Sequence, residues 1–287
     1  MSATLHPGIA LGEVELRVSN LKRSIQFYKD IIGLQVMEER EDSASLTADG
    51  QTTLVVLRAV PGATVTPPRS FSGLYHFAIL LPERKHLGLM ARHLMERDVA
   101  IGQADHAVSE ALYLSDPDHN GIEIYRDRPR SEWKYDAQGG LKMGTDPIEW
   151  ESLLEEADGY EWEGLPSGTT IGHVHFHVGD MTEAKRYFCD ALGFSVEADM
   201  MRSMGAMFLA AGGYHHHIGL NIWAGLHAPS IPDHATGMSS FTITFPDHAA
   251  LMDTVERLQR SDVGVRQSSN GWVASSPWGF AIKLSVQ

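Results

Sequence analysis

One pattern is written twice along this chain at a fixed offset, and that repeat restricts the fold more than any other feature. Glu13-Val14-Glu15-Leu16-Arg17-Val18 alternates like a half-buried strand. A helix follows, with Asn20 as N-cap, an apolar stripe of Leu21, Ile25, Tyr28 and Ile32, and Gly33 just past its end. The run from Ile171 to Val178, then Asp180, Tyr187-Phe188 and Leu192-Gly193-Phe194, repeats it 160 residues later (173 − 13 and 193 − 33). A register held through strand, cap and helix end is an internal repeat.

Two further units echo each other. Tyr75-His76-Phe77-Ala78-Ile79-Leu80-Leu81-Pro82 leads into a helix bearing Leu87, Met90 and Leu94, and closes with Ile122-Glu123-Ile124-Tyr125 after a turn. Ser240 to Pro246 opens the other, with Leu251, Val255 and Leu258 on its helix and Ile282-Lys283-Leu284 at its end. Pro117 precedes Glu123 by the same step that separates Pro277 from Lys283. Each unit reads βαβββ, so the expected class is α+β. The expected domains are residues 9–127 and 170–287, two units each, joined by a linker over 128–169. That linker is rich in charge, Gly and Pro and carries Trp133, Trp150 and Trp162. It is expected to form a short acidic helix near Glu149–Ala157 and to cover one half of the molecule.

Composition narrows the function classes. No apolar run approaches the ~20 residues of a membrane span, and the N-terminus lacks the basic and apolar regions of a signal peptide. A single cysteine, Cys189, fits a cytoplasmic protein. A formal net charge of −14 argues against nucleic acid or an anionic membrane as partner and leaves a homo-oligomer open. Histidine is plentiful, at 15 residues, and clustered.

Successive strand side chains point to opposite faces. Val174, Phe176 and Val178 make one face apolar, leaving His173, His175 and His177 together on the other. By the same alternation His76 lies opposite Phe77 and Ile79, Glu123 opposite Ile122 and Ile124, and Tyr113 opposite Leu112 and Leu114. Counting a strand over Tyr214–Ile222 puts His216 with Ile218 and Leu220, and leaves His215, His217 and Asn221 on the polar face. Singly, each has an ordinary reading: a core histidine bonded to a carbonyl, a structural ion pair, a tethered tyrosine, and packing for Trp223. Their joint placement is what suggests a site.

Four βαβββ units with these signatures resemble the vicinal oxygen chelate superfamily, which includes glyoxalases, bleomycin-resistance proteins and type I extradiol dioxygenases. The resemblance implies modules paired edge to edge into two cupped mixed sheets, with a metal in a cup. His76, Glu123 and His173 fall at strand positions the family uses for metal, and two imidazoles with one carboxylate suit non-haem Fe(II) oxygenases. Mn(II) shares those ligand preferences. The resemblance further implies His217 as acid/base, with His216 left open for that role, Tyr113 and His106 as residues orienting substrate oxygen, and His175, His215 and Asn221 around the pocket. The substrate would be a small aromatic diol, a catechol, cleaved with O₂. The fourth unit carries Ser240 and Lys283 at the ligand positions, so the triad is complete only if unit two pairs with unit three and unit one with unit four. The other cup would then hold Glu13, Glu15, Arg17, Ser240, Thr242 and a Glu13–Lys283 ion pair. Two alternatives stand beside this reading. A glyoxalase-like isomerase or lyase would use Glu13, His76 and Glu123, and a bleomycin-resistance-type protein would sequester an aromatic drug without metal.

Overall fold

A computed structural model describes residues 4–137 and 139–287; Met1 to Ala3, the start of the stretch read for a signal peptide, lie outside the described residues. Unit one comprises β1 (Ala10–Val18), α1 (Leu21–Phe27), β2 (Gln35–Glu39), β3 (Ser43–Thr47) and β4 (Thr53–Ala59). Unit two comprises β5 (Gly73–Leu80), α2 (Arg84–Glu96), β6 (Gly102–Asp105), β7 (Ser109–Ser115) and β8 (Gly121–Asp127). The linker contains α3 (Trp150–Glu155). Unit three follows with β9 (Thr170–His177), α4 (Met181–Lys185), β10 (Ser195–Met200), α5 (Met201–Met204), β11 (Ala206–Ala210) and β12 (Ile218–Asn221). Unit four closes the chain with β13 (Gly237–Phe245), α6 (His248–Arg260), β14 (Val265–Ser268), β15 (Gly271–Ser275) and β16 (Ala281–Val286).

The repeat is visible in the caps. Asn20 accepts from the Arg23 N–H, and Asp180 accepts from the N–H groups of Thr182 and Glu183. Both helices then widen into a π-turn and stop at Gly33 and Gly193, whose φ of 85° and 97° is the left-handed conformation that ends a helix.

The units pair as the ligand argument requires. One eight-stranded sheet runs β14-β15-β16-β13-β1-β4-β3-β2 and the other β10-β11-β12-β9-β5-β8-β7-β6, so units four and one share a sheet, and units three and two the other. Neither half of the sequence closes a sheet by itself. The central joints, β1 with β13 and β5 with β9, are antiparallel, while each unit's first and last strands run parallel. One apolar core runs through both sheets, and Phe176 of β9 stacks on Phe280 of unit four at 4.2 Å between ring centroids. Burying each such ring contributes about 1.5–3 kcal/mol. In the cup of units one and four, Lys283 Nζ lies 3.1 Å from Glu13 and 3.2 Å from Glu15, so an ammonium occupies the ligand position. Among the described residues no helix is long and apolar enough to cross a membrane.

Candidate metal centre

In the sheet of units two and three, strand register sets the floor of a cup. Ala78 on β5 lies opposite Glu123 on β8 and His173 on β9, and its small side chain leaves room for both. His76 stands two residues back on the same strand and face. His76 Nε2 and His173 Nε2 each lie 3.0 Å from the same oxygen, Glu123 Oε2. One ligand atom from each of the three residues falls within 4.8 Å of the others.

These groups fit a divalent cation. Cis ligands about 2.1 Å from a common ion stand ~3 Å apart, which is the spacing seen around Glu123 Oε2. The carboxylate is 2% exposed, and among the described residues its ion-pair partners are His76 and His173. Both nitrogens of His76 and Nδ1 of His173 are buried without a hydrogen-bond partner, since His76 Nε2 approaches the carboxylate out of line. An unpaired buried nitrogen and a buried carboxylate are costly, and a metal ion would take up His76 Nε2 and balance the Glu123 charge. Burial alone would raise the Glu123 pKa, yet His173 and His76 outweigh it and hold the carboxyl well below its ordinary range. Burial pulls His173 down to about 4, leaving a neutral imidazole, the form that binds metal.

Beside the three ligands opens a cavity of about 590 Å³. His106 and Tyr113 form one wall, and their tautomers follow from hydrogen bonding. His106 Nδ1 lies 2.7 Å from the Gly144 carbonyl, which can only accept, so Nδ1 donates and Nε2 accepts the Tyr113 hydroxyl at 2.7 Å. Burial and the neighbouring Glu123 push the Tyr113 pKa well above 10, so the phenol stays protonated. The linker supplies Gly144 together with Met143 and Thr145 on the cavity wall. Met200, Met204, Phe208 and Trp223 make the apolar side.

His175 lines the cavity. Asn221 stands behind it: Nδ2 donates to His175 Nε2 at 3.0 Å, while Oδ1 accepts from His177 Nδ1 at 2.6 Å and from the Trp223 N–H at 3.0 Å. The Trp223 N–H fixes the Asn221 amide orientation, and with it the protonated nitrogens of both imidazoles.

Three expectations change. His217 does not reach the cavity: its Nδ1 accepts from the Ala211 N–H at 3.3 Å, and burial lowers its pKa to about 3. His216 lines the cavity instead, its ring 4.0 Å from that of His173. His215 lies behind His216 rather than in the pocket. Counting by alternation fails because β12 begins only at Ile218, after Gly212 and Gly213, both at φ 65°, have broken the pleat. Tyr75 and Trp223 also line the cavity. The β5/β9 register shifts between Leu74 and His76, so Tyr75 is the extra residue of a bulge and turns toward the cup against its parity. Only a break in strand pairing reveals that turn, and alternation along one strand does not carry it.

Residues 10–124 and 170–269 match the description of the glyoxalase/bleomycin resistance protein/dioxygenase superfamily. Over 274 residues the chain is 46% identical to a catechol-2,3-dioxygenase of Bacillus subtilis (strain 168), covering 96% of each protein. Over 145 residues it is 32% identical to biphenyl-2,3-diol 1,2-dioxygenase 3 of Rhodococcus globerulus, covering 48% of this chain and 74% of that one. Glyoxalase I of Zea mays shares the fold, with a TM-score of 0.56 over 96% of this chain and 92% of its own, at 13% identity.

Proposed function

This chain belongs to the glyoxalase/bleomycin resistance protein/dioxygenase superfamily, and from that premise we propose an Fe(II)-dependent extradiol dioxygenase. Its substrate is catechol or a substituted catechol, whose ring opens beside the vicinal hydroxyls with incorporation of O₂. The observation that carries this reading is the convergence of His76, Glu123 and His173 beside a cavity walled by His216 and the His106–Tyr113 pair. The catechol-2,3-dioxygenase relative at 46% identity supports the same reaction class.

An ion held by His76, Glu123 and His173 would supply a Lewis-acidic, redox-active centre. His216, not His217, takes the base role: burial and the surrounding imidazoles hold its pKa well below the ordinary value, so it is neutral and able to accept the substrate hydroxyl proton. His106 takes the Tyr113 hydroxyl proton in its hydrogen bond, leaving the Tyr113 oxygen to accept from a substrate hydroxyl and orient it. The methionines, Phe208 and Trp223 hold the ring and exclude water. No Lys or Arg appears among the described residues lining this cavity, which favours uncharged ring substituents.

The glyoxalase-like alternative needs Glu13 beside His76 and Glu123, but Glu13 belongs to the other sheet and is paired to Lys283. The test is anaerobic loading with Fe(II), then catechol and air, reading the yellow ring-opened product. Stoichiometric iron binding without turnover of any catechol would overturn the assignment, and a purified protein that takes up no metal would favour drug sequestration.

A further inference from the structure

Behind His216 runs a hydrogen-bonded chain that ends at a carboxylate. His215 Nε2 lies 2.7 Å from Asp127 Oδ1, and His215 Nδ1 lies 2.8 Å from His216 Nδ1. The carboxylate can only accept, so His215 carries its proton on Nε2. In its neutral form His215 has one N–H, so its Nδ1 accepts and His216 Nδ1 donates. The lone pair of His216 is then on Nε2, on the far side of the ring from His215, in a residue that lines the cavity.

Asp127 also receives the Tyr214 hydroxyl at 2.9 Å, and Tyr214 in turn receives that of Tyr125 at 2.7 Å. The Tyr125 ring lies against His173, 4.8 Å between centroids. The His215 side chain is fully buried, edge-on to Trp133 of the linker at 5.6 Å, so water does not compete for its nitrogens. Asp127 has 26% side-chain exposure and stands at the outer end of the chain.

We propose that Asp127 and His215 are positioning residues that hold His216 in the Nδ1–H tautomer, so that Nε2 is presented as the base to the substrate hydroxyl. This rests on the dioxygenase reading for the identity of that substrate, but the tautomer itself does not.

Asp127→Leu removes the terminal acceptor, freeing His215 to protonate on Nδ1 and forcing His216 onto Nε2–H. In iron-loaded protein, kcat for catechol should fall at least ~10-fold with KM and metal content nearly unchanged. In metal-free protein labelled with ¹⁵N-histidine, the directly bonded proton of His216 should move from Nδ1 to Nε2. His215→Gln keeps a donor for Asp127 and an acceptor for His216, so it should retain the tautomer and most of the activity, whereas His215→Leu should lose both. That pair decides the matter even if Asp127→Leu does not fold. An unchanged His216 tautomer and unchanged kcat in Asp127→Leu, or in His215→Leu, would overturn the proposal. If wild-type iron-loaded protein opened no catechol, the dioxygenase reading alone would fall, and the tautomer measurement would still decide the role of Asp127 and His215.

Discussion

Glu123→Gln is the sharpest perturbation of the metal centre because it removes a charge and almost no volume. The Gln carbonyl can still accept from His173 Nε2–H, the 3.0 Å bond that Glu123 makes. Metal-free wild type and variant should therefore differ by no more than ~1 kcal/mol, with relief of a buried charge offsetting a weaker hydrogen bond. Metal separates them. A ligand at a hundred-fold excess over its Kd stabilises the folded state by ~2.7 kcal/mol. At ~2.1 cal/mol/K per residue, 287 residues unfolding together have an unfolding entropy of about 0.6 kcal/mol/K. The wild-type Tm should therefore rise by ~4–5 °C on saturation with Mn(II), which shares ligand preferences with Fe(II), and fall back with a chelator. Glu123→Gln lacks the only anionic ligand and should shift by less than ~1 °C at the same metal concentration. Calorimetry or a thermal melt followed by circular dichroism, with elemental analysis of the same samples, reads both numbers. An equal Mn(II)-dependent rise in the Gln variant would refute the assignment of Glu123 as a ligand, and no rise in wild type would refute the site.

His216→Gln should lower kcat by ~10²–10⁴-fold, while His217→Gln should stay within ~3-fold of wild type in turnover assays with catechol. The reverse ranking would restore His217 as the base. Asn221→Ala leaves His175 Nε2 and His177 Nδ1 buried without partners and should cost about 2–6 kcal/mol in urea unfolding, at ~1–3 kcal/mol per orphaned group; a loss below ~1 kcal/mol would mean that water replaces the amide. Acid stability should depend on Glu110, whose side chain is buried against Arg84 and Arg126. Burial alone would raise its pKa, but the two guanidinium groups outweigh it and hold the carboxyl below the ordinary range. The folded pKa is thus below the unfolded ~4.3, so this stabilisation is complete above pH ~4.3 and is lost as pH falls through the folded value. Urea midpoints of Glu110→Gln should fall less steeply below pH ~5 than those of wild type, and parallel slopes would count against this account.

Much of the molecule was legible residue by residue. Asn20 and Asp180 cap because a short polar side chain before an apolar stripe has free N–H groups within reach, a purely local matter. Phe77, Ile79, Ile122 and Ile124 all join the main apolar cluster, as alternation required, since a pleated strand offers two faces and the other one lines the cup. The ligand types even anticipated the pairing of units: Ser240 and Lys283 cannot hold a metal, so units two and three had to meet. The placement of Tyr75 was not legible, because a bulge depends on how two strands register and not on either strand alone. The same holds where Gly212 and Gly213 end the pleat and His216, rather than His217, reaches the cavity.

By itself, then, the sequence determined the βαβββ unit, its fourfold use and the core faces, which follow from periodicities of two and 3.6 residues in the backbone, while His76, Glu123 and His173 were singled out by the family resemblance. Only the tertiary structure decided that Asn221 orients His175 and that Asp127 reaches His216 through His215. Those bonds join residues 46 and 88 positions apart, and no spacing rule operates over such distances. They exist because paired strands and one broken strand bring particular donors to particular acceptors within 3 Å, a fit settled by the packing of the whole sheet.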